Sequence, residues 1–121
     1  MRVLNTTELS AFLKRFDNFK DAEFRSLDLL SPLQSRLTFA VQDSARAYDW
    51  ITLTLLFNGI SDAKLLQEHQ LSLVDMSDGI SLLYEDALFA FGIGECYNIS
   101  TIKNSSCFIL AQSLKYEEGL F

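Results

Sequence analysis

Few residues in this chain are equipped for chemistry. His69 is the only histidine and sits in the polar run Gln67-Glu-His-Gln70. A catalytic histidine needs a nucleophile within hydrogen-bond reach and a third group to orient it. Spatial proximity of that kind is not visible in sequence, and a lone histidine in a polar run reads as a surface residue without a catalytic role. Cys96 and Cys107 are the only thiols. Zinc sites draw on several Cys or His ligands at short spacing, and none is present. Cys107, in Ser-Ser-Cys-Phe-Ile-Leu, reads as a buried thiol at the start of a strand.

The carboxylates are more numerous, but their spacing is equally unhelpful for catalysis. Asp75-Met-Ser-Asp-Gly79 has the opening of a calcium loop. An EF-hand needs Gly at position six and Glu at position twelve. Counted from Asp75 these are Ile80 and Asp86, so the motif fails. Glu85 and Asp86 are adjacent, and adjacent side chains on a strand point apart. Gly92-Ile-Gly94 lacks the third glycine of a dinucleotide fingerprint. The chain therefore reads as non-enzymatic, with no cofactor or metal called for.

Charge is the informative feature. The net charge is −6 and the pI about 4.6. Residues 1–61 carry seven basic and seven acidic side chains, whereas residues 62–121 carry three and nine. Between Leu65 and Ile102 there is no Lys or Arg, but there are Glu68, Asp75, Asp78, Glu85, Asp86 and Glu95. Nucleic acids and anionic membrane surfaces are bound by clustered positive charge, so both are disfavoured as partners. A basic protein partner suits this interval, with those six residues as its candidate contacts. A plain solvated acidic surface that aids solubility is the alternative.

The elements that must position these residues are legible in outline. Ile51, Leu53, Leu55 and Phe57 alternate with Thr52, Thr54 and Leu56, the pattern of a strand inside a sheet. Asn58-Gly59 reads as turn chemistry. Residues 5–19 predict one amphipathic helix whose stripe is Leu9, Phe12, Leu13 and Phe16. Asn5 is its N-cap, Glu8 completes a capping box, and Leu4 with Leu9 forms a staple. Residues 22–30 predict a strand with Ala22 and Phe24 on one face and Leu27 and Leu29 on the other. Ser31-Pro32 breaks it.

Residues 33–42 predict a half-buried strand with Leu33, Ser35, Leu37, Phe39 and Val41 on the apolar side. After a loop at 43–47 it pairs antiparallel with the 50–57 strand. Ser61–Leu66 reads as one helical turn, Gln67–Gln70 as a surface connection and 71–74 as a short apolar run. Gly79 suits a positive φ in the turn that follows. Strands are expected at 80–84 and 87–93, with a tight hairpin at Glu85-Asp86. Gly92 and Gly94 suggest a bulge or a close backbone approach. Residues 95–106 read as irregular, 107–114 as the last strand, and Lys115–Glu118 as a charged tail.

The expected fold is α+β: an N-terminal amphipathic helix on a mostly antiparallel sheet of six or seven strands, in one domain spanning 1–121. The chain is 49% hydrophobic with ten Phe, which gives it enough apolar surface for a real core. No apolar run approaches the roughly 20 residues of a membrane span. Met1–Glu8 lacks the apolar stretch of a secretion signal, so a cytoplasmic location with reduced thiols is expected.

Phe19-Lys-Asp-Ala-Glu-Phe24, then an alternating strand, then Trp50 through Phe57-Asn-Gly-Ile60, resembles a group of small bacterial proteins. These are helix-plus-antiparallel-sheet domains of the toxin-immunity and uncharacterised type. The resemblance spans about residues 19–93. Members often carry a histidine just before the Asp-Ala pair, where this chain has Lys20, so no functional residue is carried over. The resemblance implies a cytoplasmic protein that works by binding another protein. Two further readings stand beside it: a domain holding a small apolar ligand between helix and sheet, and a homo-oligomeric structural subunit.

Overall fold

The computed structural model describes residues 1–121. The chain opens with a two-residue strand, β1 (Arg2–Val3), then a 3-10 turn (Thr6–Glu8), helix α1 (Leu9–Arg15) and a second 3-10 turn (Asp17–Phe19). The predicted 5–19 helix is thus present but divided. Glu8 Oε1 accepts the Asn5 N–H at 3.1 Å, the returning half of the expected capping box. Helical geometry ends at Phe16, because Asp17, Asn18 and Phe19 all have left-handed φ of 52°, 55° and 61°. Asp and Asn tolerate that region; Phe does not. Phe19 is held there by its ring, which is fully buried and meets Phe16 at 5.9 Å and Phe39 at 5.2 Å.

Six longer strands follow: β2 (Glu23–Ser31), β3 (Gln34–Asp43), β4 (Asp49–Lys64), β5 (Ile80–Glu85), β6 (Leu88–Ile93) and β7 (Phe108–Gly119). They form one antiparallel sheet in the order β2-β3-β4-β7-β6-β5, with β1 paired to β7. The fold is α+β, as its alternating patterns predict. Ile51, Leu53, Leu55 and Phe57 are buried and Thr52, Thr54 and Leu56 half-buried, which is the expected face assignment of a central strand. The expected β3–β4 pairing runs from Gln34↔Asn58 to Asp43↔Asp49 without a shift.

Several local expectations are overturned. Ser61–Leu66 is not a helical turn: β4 passes through a register shift between Ile60 and Asp62 and stays paired with β7 as far as Lys64. Lys115–Glu118 is not a tail, because Lys115 lies opposite Leu56 and Glu117 opposite Thr54. Residues 95–106 include a short helix, α2 (Ile99–Ile102), whose N-cap Asn98 Oδ1 accepts the Thr101 N–H at 2.8 Å. Leu33 sits exposed in the Pro32-Leu33 turn instead of on the buried face. In β2 a shift between Phe24 and Ser26 places Phe24 opposite Phe39 and Leu27 opposite Leu37. The extra residue, Arg25, moves Leu27 to the face of Phe24 and accounts for the imperfect alternation.

The sheet curls around its core. In a flat sheet β3 and β6, three strand spacings apart, would be separated by roughly 14 Å. Yet the rings of Phe39 (β3) and Phe91 (β6) lie 6.4 Å apart, and Phe57 lies 5.7 Å from Phe91. Gly59, with φ +69°, sits where β4 bends. Phe12, Phe16 and Phe19 fill the concave side, and Phe12 meets Tyr116 of β7 at 5.0 Å. A smaller cluster (Ala90, Cys96, Ile102, Phe108 and Leu110) lies apart from this core. Gly92 packs against it as a close approach, not a bulge: a Cβ there would stand 3.3 Å from Ile102 Cγ1, and β5–β6 register is unbroken. The β5–β6 hairpin turns at Asp86-Ala87, with φ 54° and 62°, the two-residue type that matches strand twist.

The turn before β5 is fastened to the turn after α1. Asp21 N–H donates to Met76 O at 2.8 Å, and a Cβ on Gly79 would lie 1.9 Å from Asn18 O. Gly79 also has φ +69°. Gly79→Ala should lower the urea midpoint by an amount equivalent to at least about 2 kcal/mol, because strain and overlap add. An unchanged midpoint would show that the two turns are not in register.

Candidate functional site

The end of α1, the β3–β4 connection and the end of β7 meet in one ionic network. Asp43, the last residue of β3, has a fully buried carboxylate. Arg15 Nε donates to its Oδ1 at 2.9 Å and Arg15 Nη2 to its Oδ2 at 2.7 Å, a bidentate pair. The same Nη2 reaches Glu118 Oε1 at 2.7 Å, and Arg46 lies 3.3 Å from both carboxylates. Asp43 Oδ1 also accepts the Ala45 N–H at 2.9 Å. The Arg15 hydrogen bonds hold the Asp43 carboxyl below the usual carboxylate range despite burial, and Asp43 raises the Arg15 pKa further above its ordinary value. Both groups are therefore charged at any physiological pH.

A cleft of about 240 Å³ opens beside this network. Its walls include Lys14 from α1 and Phe16 just beyond it, Lys20 from the turn that follows, Gln42 from β3, Tyr48 from the β3–β4 loop and Trp50 from the start of β4. The cleft exists because β2 begins only at Glu23, opposite Ala40. Val41 and Gln42 therefore have β4 on one side and no strand on the other. The loop that carries Tyr48 is held firmly: Tyr48 N–H donates to Asp43 O at 2.8 Å, and Ser44 Oγ donates to Arg15 O at 2.8 Å. Ala47 and Tyr48 have φ of 54° and 65°, and Asp21, at the other rim, has 59°. Three of the eight non-glycine residues with left-handed φ, Asp17, Phe19 and Tyr48, line this cleft, and Asn18, Asp21 and Ala47 adjoin lining residues in sequence.

The acidic residues singled out in the sequence do not form one patch. Asp78 and Glu95 border a common groove beside β5, with Lys20 and Tyr97. Glu68 starts a 3-10 turn (Glu68–Leu73) and lies beside Glu23 and Arg25 of β2, at the opposite edge of the sheet. Asp75 accepts the Ser77 N–H at 2.9 Å, which holds its carboxyl below the usual range. Glu85 ends β5 and Asp86 opens the β5–β6 turn, the length of β5 away from Asp78, roughly 20 Å. None of the six forms an ion pair, and all are exposed except the half-buried Glu85.

His69 is exposed in that 3-10 turn. Cys107 is fully buried, and burial pushes its pKa up to about 11; burial raises Cys96 as well. Both are protonated thiols at neutral pH, which makes them poor nucleophiles. No three His, Cys, Asp or Glu side chains are grouped so that they could hold a metal ion. Sequence reasoning missed Arg15, Asp43 and Glu118, because pairs separated by 28 and 103 positions leave no local signal. It also placed Trp50 only as a strand residue.

No protein-family model, curated protein or solved structure matches this chain.

Asp43→Asn should cost about 3 kcal/mol, the low end for breaking a buried pair, because Arg15 is 28% exposed. The pH dependence follows from the depressed folded pKa. The stabilisation is complete above the unfolded carboxylate value of about 4 and is lost as pH falls through the lower folded value. Acid titrations of stability should therefore fall more steeply for the wild-type protein than for Asp43→Asn. Parallel curves would contradict the buried pair.

Proposed function

We propose that this protein is a non-enzymatic protein-binding module, immunity-like in kind, which turns its 65–102 side toward a basic protein partner in the cytoplasm. The observation that carries this reading is the separation of paired from unpaired charge. Every ion pair in the molecule uses residues outside 65–102. Glu68, Asp75, Asp78, Glu85, Asp86 and Glu95 carry charge that nothing in the chain neutralises. Because they are spread over turns and both sheet edges, they suit a partner that wraps or covers a broad surface, not one docking at a point.

Two tyrosines in the same interval, Tyr84 and Tyr97, are exposed, and tyrosine is among the residues that dominate binding energy at interfaces. The protonated, buried thiols and the isolated His69 weigh against an enzyme. The rings of Phe12, Phe16, Phe19 and Phe39 occupy the space between helix and sheet, which weighs against an apolar ligand there. Self-association draws support from Leu29, Leu30 and Leu33, exposed together around the β2–β3 turn. No helix is long and apolar enough to cross a membrane.

The test compares wild type with a variant in which the six carboxylates are replaced by Asn or Gln. The ligand is a binding protein captured from the native host. Association should slow by about tenfold or more in the variant, and the wild-type rate should drop with ionic strength. A wild-type on-rate indifferent to salt would defeat the proposal.

A further inference from the structure

We propose that the cleft between the end of α1 and the β3–β4 connection binds a small organic anion carrying a planar ring. Charge is the first argument. Of the ten basic side chains in the protein, five take part in ion pairs, and Lys14, Lys20, Arg2, Lys64 and Lys115 do not. Two of those five line this single cleft. Arg15 also lines it, but its charge is already met by Asp43 and Glu118. Asp17 is the single carboxylate in the lining, which leaves the two lysines in excess. A protein of net charge −6 thus keeps a locally cationic recess.

The aromatic wall is the second argument. Tyr48 and Trp50 are 64% and 42% exposed, whereas most of the phenylalanines of this protein fill its core. Tyr48 is held at φ 65°, a conformation that disfavours its side chain, by the hydrogen bond of its N–H to Asp43 O. Trp50 packs against the tilted ring of Phe121, 6.1 Å away, and Phe121 lies under the Arg25 guanidinium. Flat rings exposed on an anchored loop and on the strand that follows it offer a stacking surface that costs little entropy to use. The open backbone edge of Val41–Gln42 lies along the same recess.

Size sets the class. About 240 Å³ falls just below the roughly 300 Å³ at which small-molecule sites begin, so the ligand is a single ring with one acidic group. The acid would meet Lys14 and Lys20, and the ring Tyr48 and Trp50. A carboxylate and a phosphate share this chemistry. The cleft adjoins the acidic surface proposed for a protein partner at Lys20, which also borders the groove of Asp78 and Glu95, but Lys14, Tyr48 and Trp50 belong to the cleft alone.

Trp50 is the only tryptophan, so its fluorescence reports on this cleft alone. Benzoate and phenyl phosphate are titrated against the protein, with acetate, inorganic phosphate and neutral benzamide as controls for each half of the ligand. At least one aromatic anion should give a saturable change in Trp50 emission, and the better of the two identifies the acid group. Lys14→Ala/Lys20→Ala, at two exposed positions, should weaken that binding at least tenfold, and Tyr48→Ala should weaken it too. Lys103→Ala should leave it unchanged. No saturable response to either anion up to about 10 mM would overturn the proposal. So would equal affinity in the double-lysine variant.

Discussion

A carboxylate with no solvent contact has to be answered by charge, and in this protein the answer to Asp43 comes from far along the chain. The bidentate Arg15 fixes where α1 ends relative to the last residue of β3. Because the same guanidinium holds Glu118, it also fixes the end of β7. An unpaired carboxylate at that position would be costly, so the three segments meet in one arrangement or the charge is stranded. The rings of Phe12, Phe16 and Phe19 supply most of the helix–sheet attraction, but apolar contact is non-directional. The ionic network gives that attraction a register, and both rims of the cleft are set by it.

The outline of the fold was legible because period-two alternation survives wherever one face is buried. Ile51 to Phe57 and the paired Leu37 and Phe39 could be read directly. Where the backbone adds a residue, that signal fails. Arg25 in β2 and the shift after Ile60 in β4 each change which parity faces the core, so the β2 register and the far half of β4 were misread. The C-terminal part of β7 was hidden differently. Lys115, Glu117 and Glu118 look like a solvated tail, but they occupy an outer face and an ionic network on a strand whose inner side chains are Leu114 and Tyr116. The break after α1 had a faint sign in Asp17-Asn18, two residues that tolerate left-handed backbone.

The candidate sites divide along the same line. The acidity of 65–102 is a property of composition, so it could be seen without coordinates. Its dispersal over a turn beside β2, the groove beside β5 and the hairpin tip is a property of topology, and could not. The cleft had no sequence signature. Lys14, Lys20, Tyr48 and Trp50 come from α1, the turn after it, the β3–β4 loop and β4, which become neighbours because β2 starts late and α1 ends in a left-handed turn. The left-handed non-glycine residues fall in three places: the turn after α1, the β3–β4 loop and the β5–β6 turn, and the first two supply Asp17, Phe19 and Tyr48 to the cleft. That distribution distinguishes a place where conformation is imposed from one where packing alone decides.

The claim on which this account rests is that Arg15 and Asp43 are strongly coupled and set the geometry around them. A double-mutant cycle measures this directly, using Arg15→Met, Asp43→Asn and the combined variant in urea denaturation at neutral pH. The coupling energy should be about 1.5 kcal/mol or more, with the double variant less damaged than the two single losses added together. Strictly additive losses would contradict it, because the two side chains would then be neighbours without being partners.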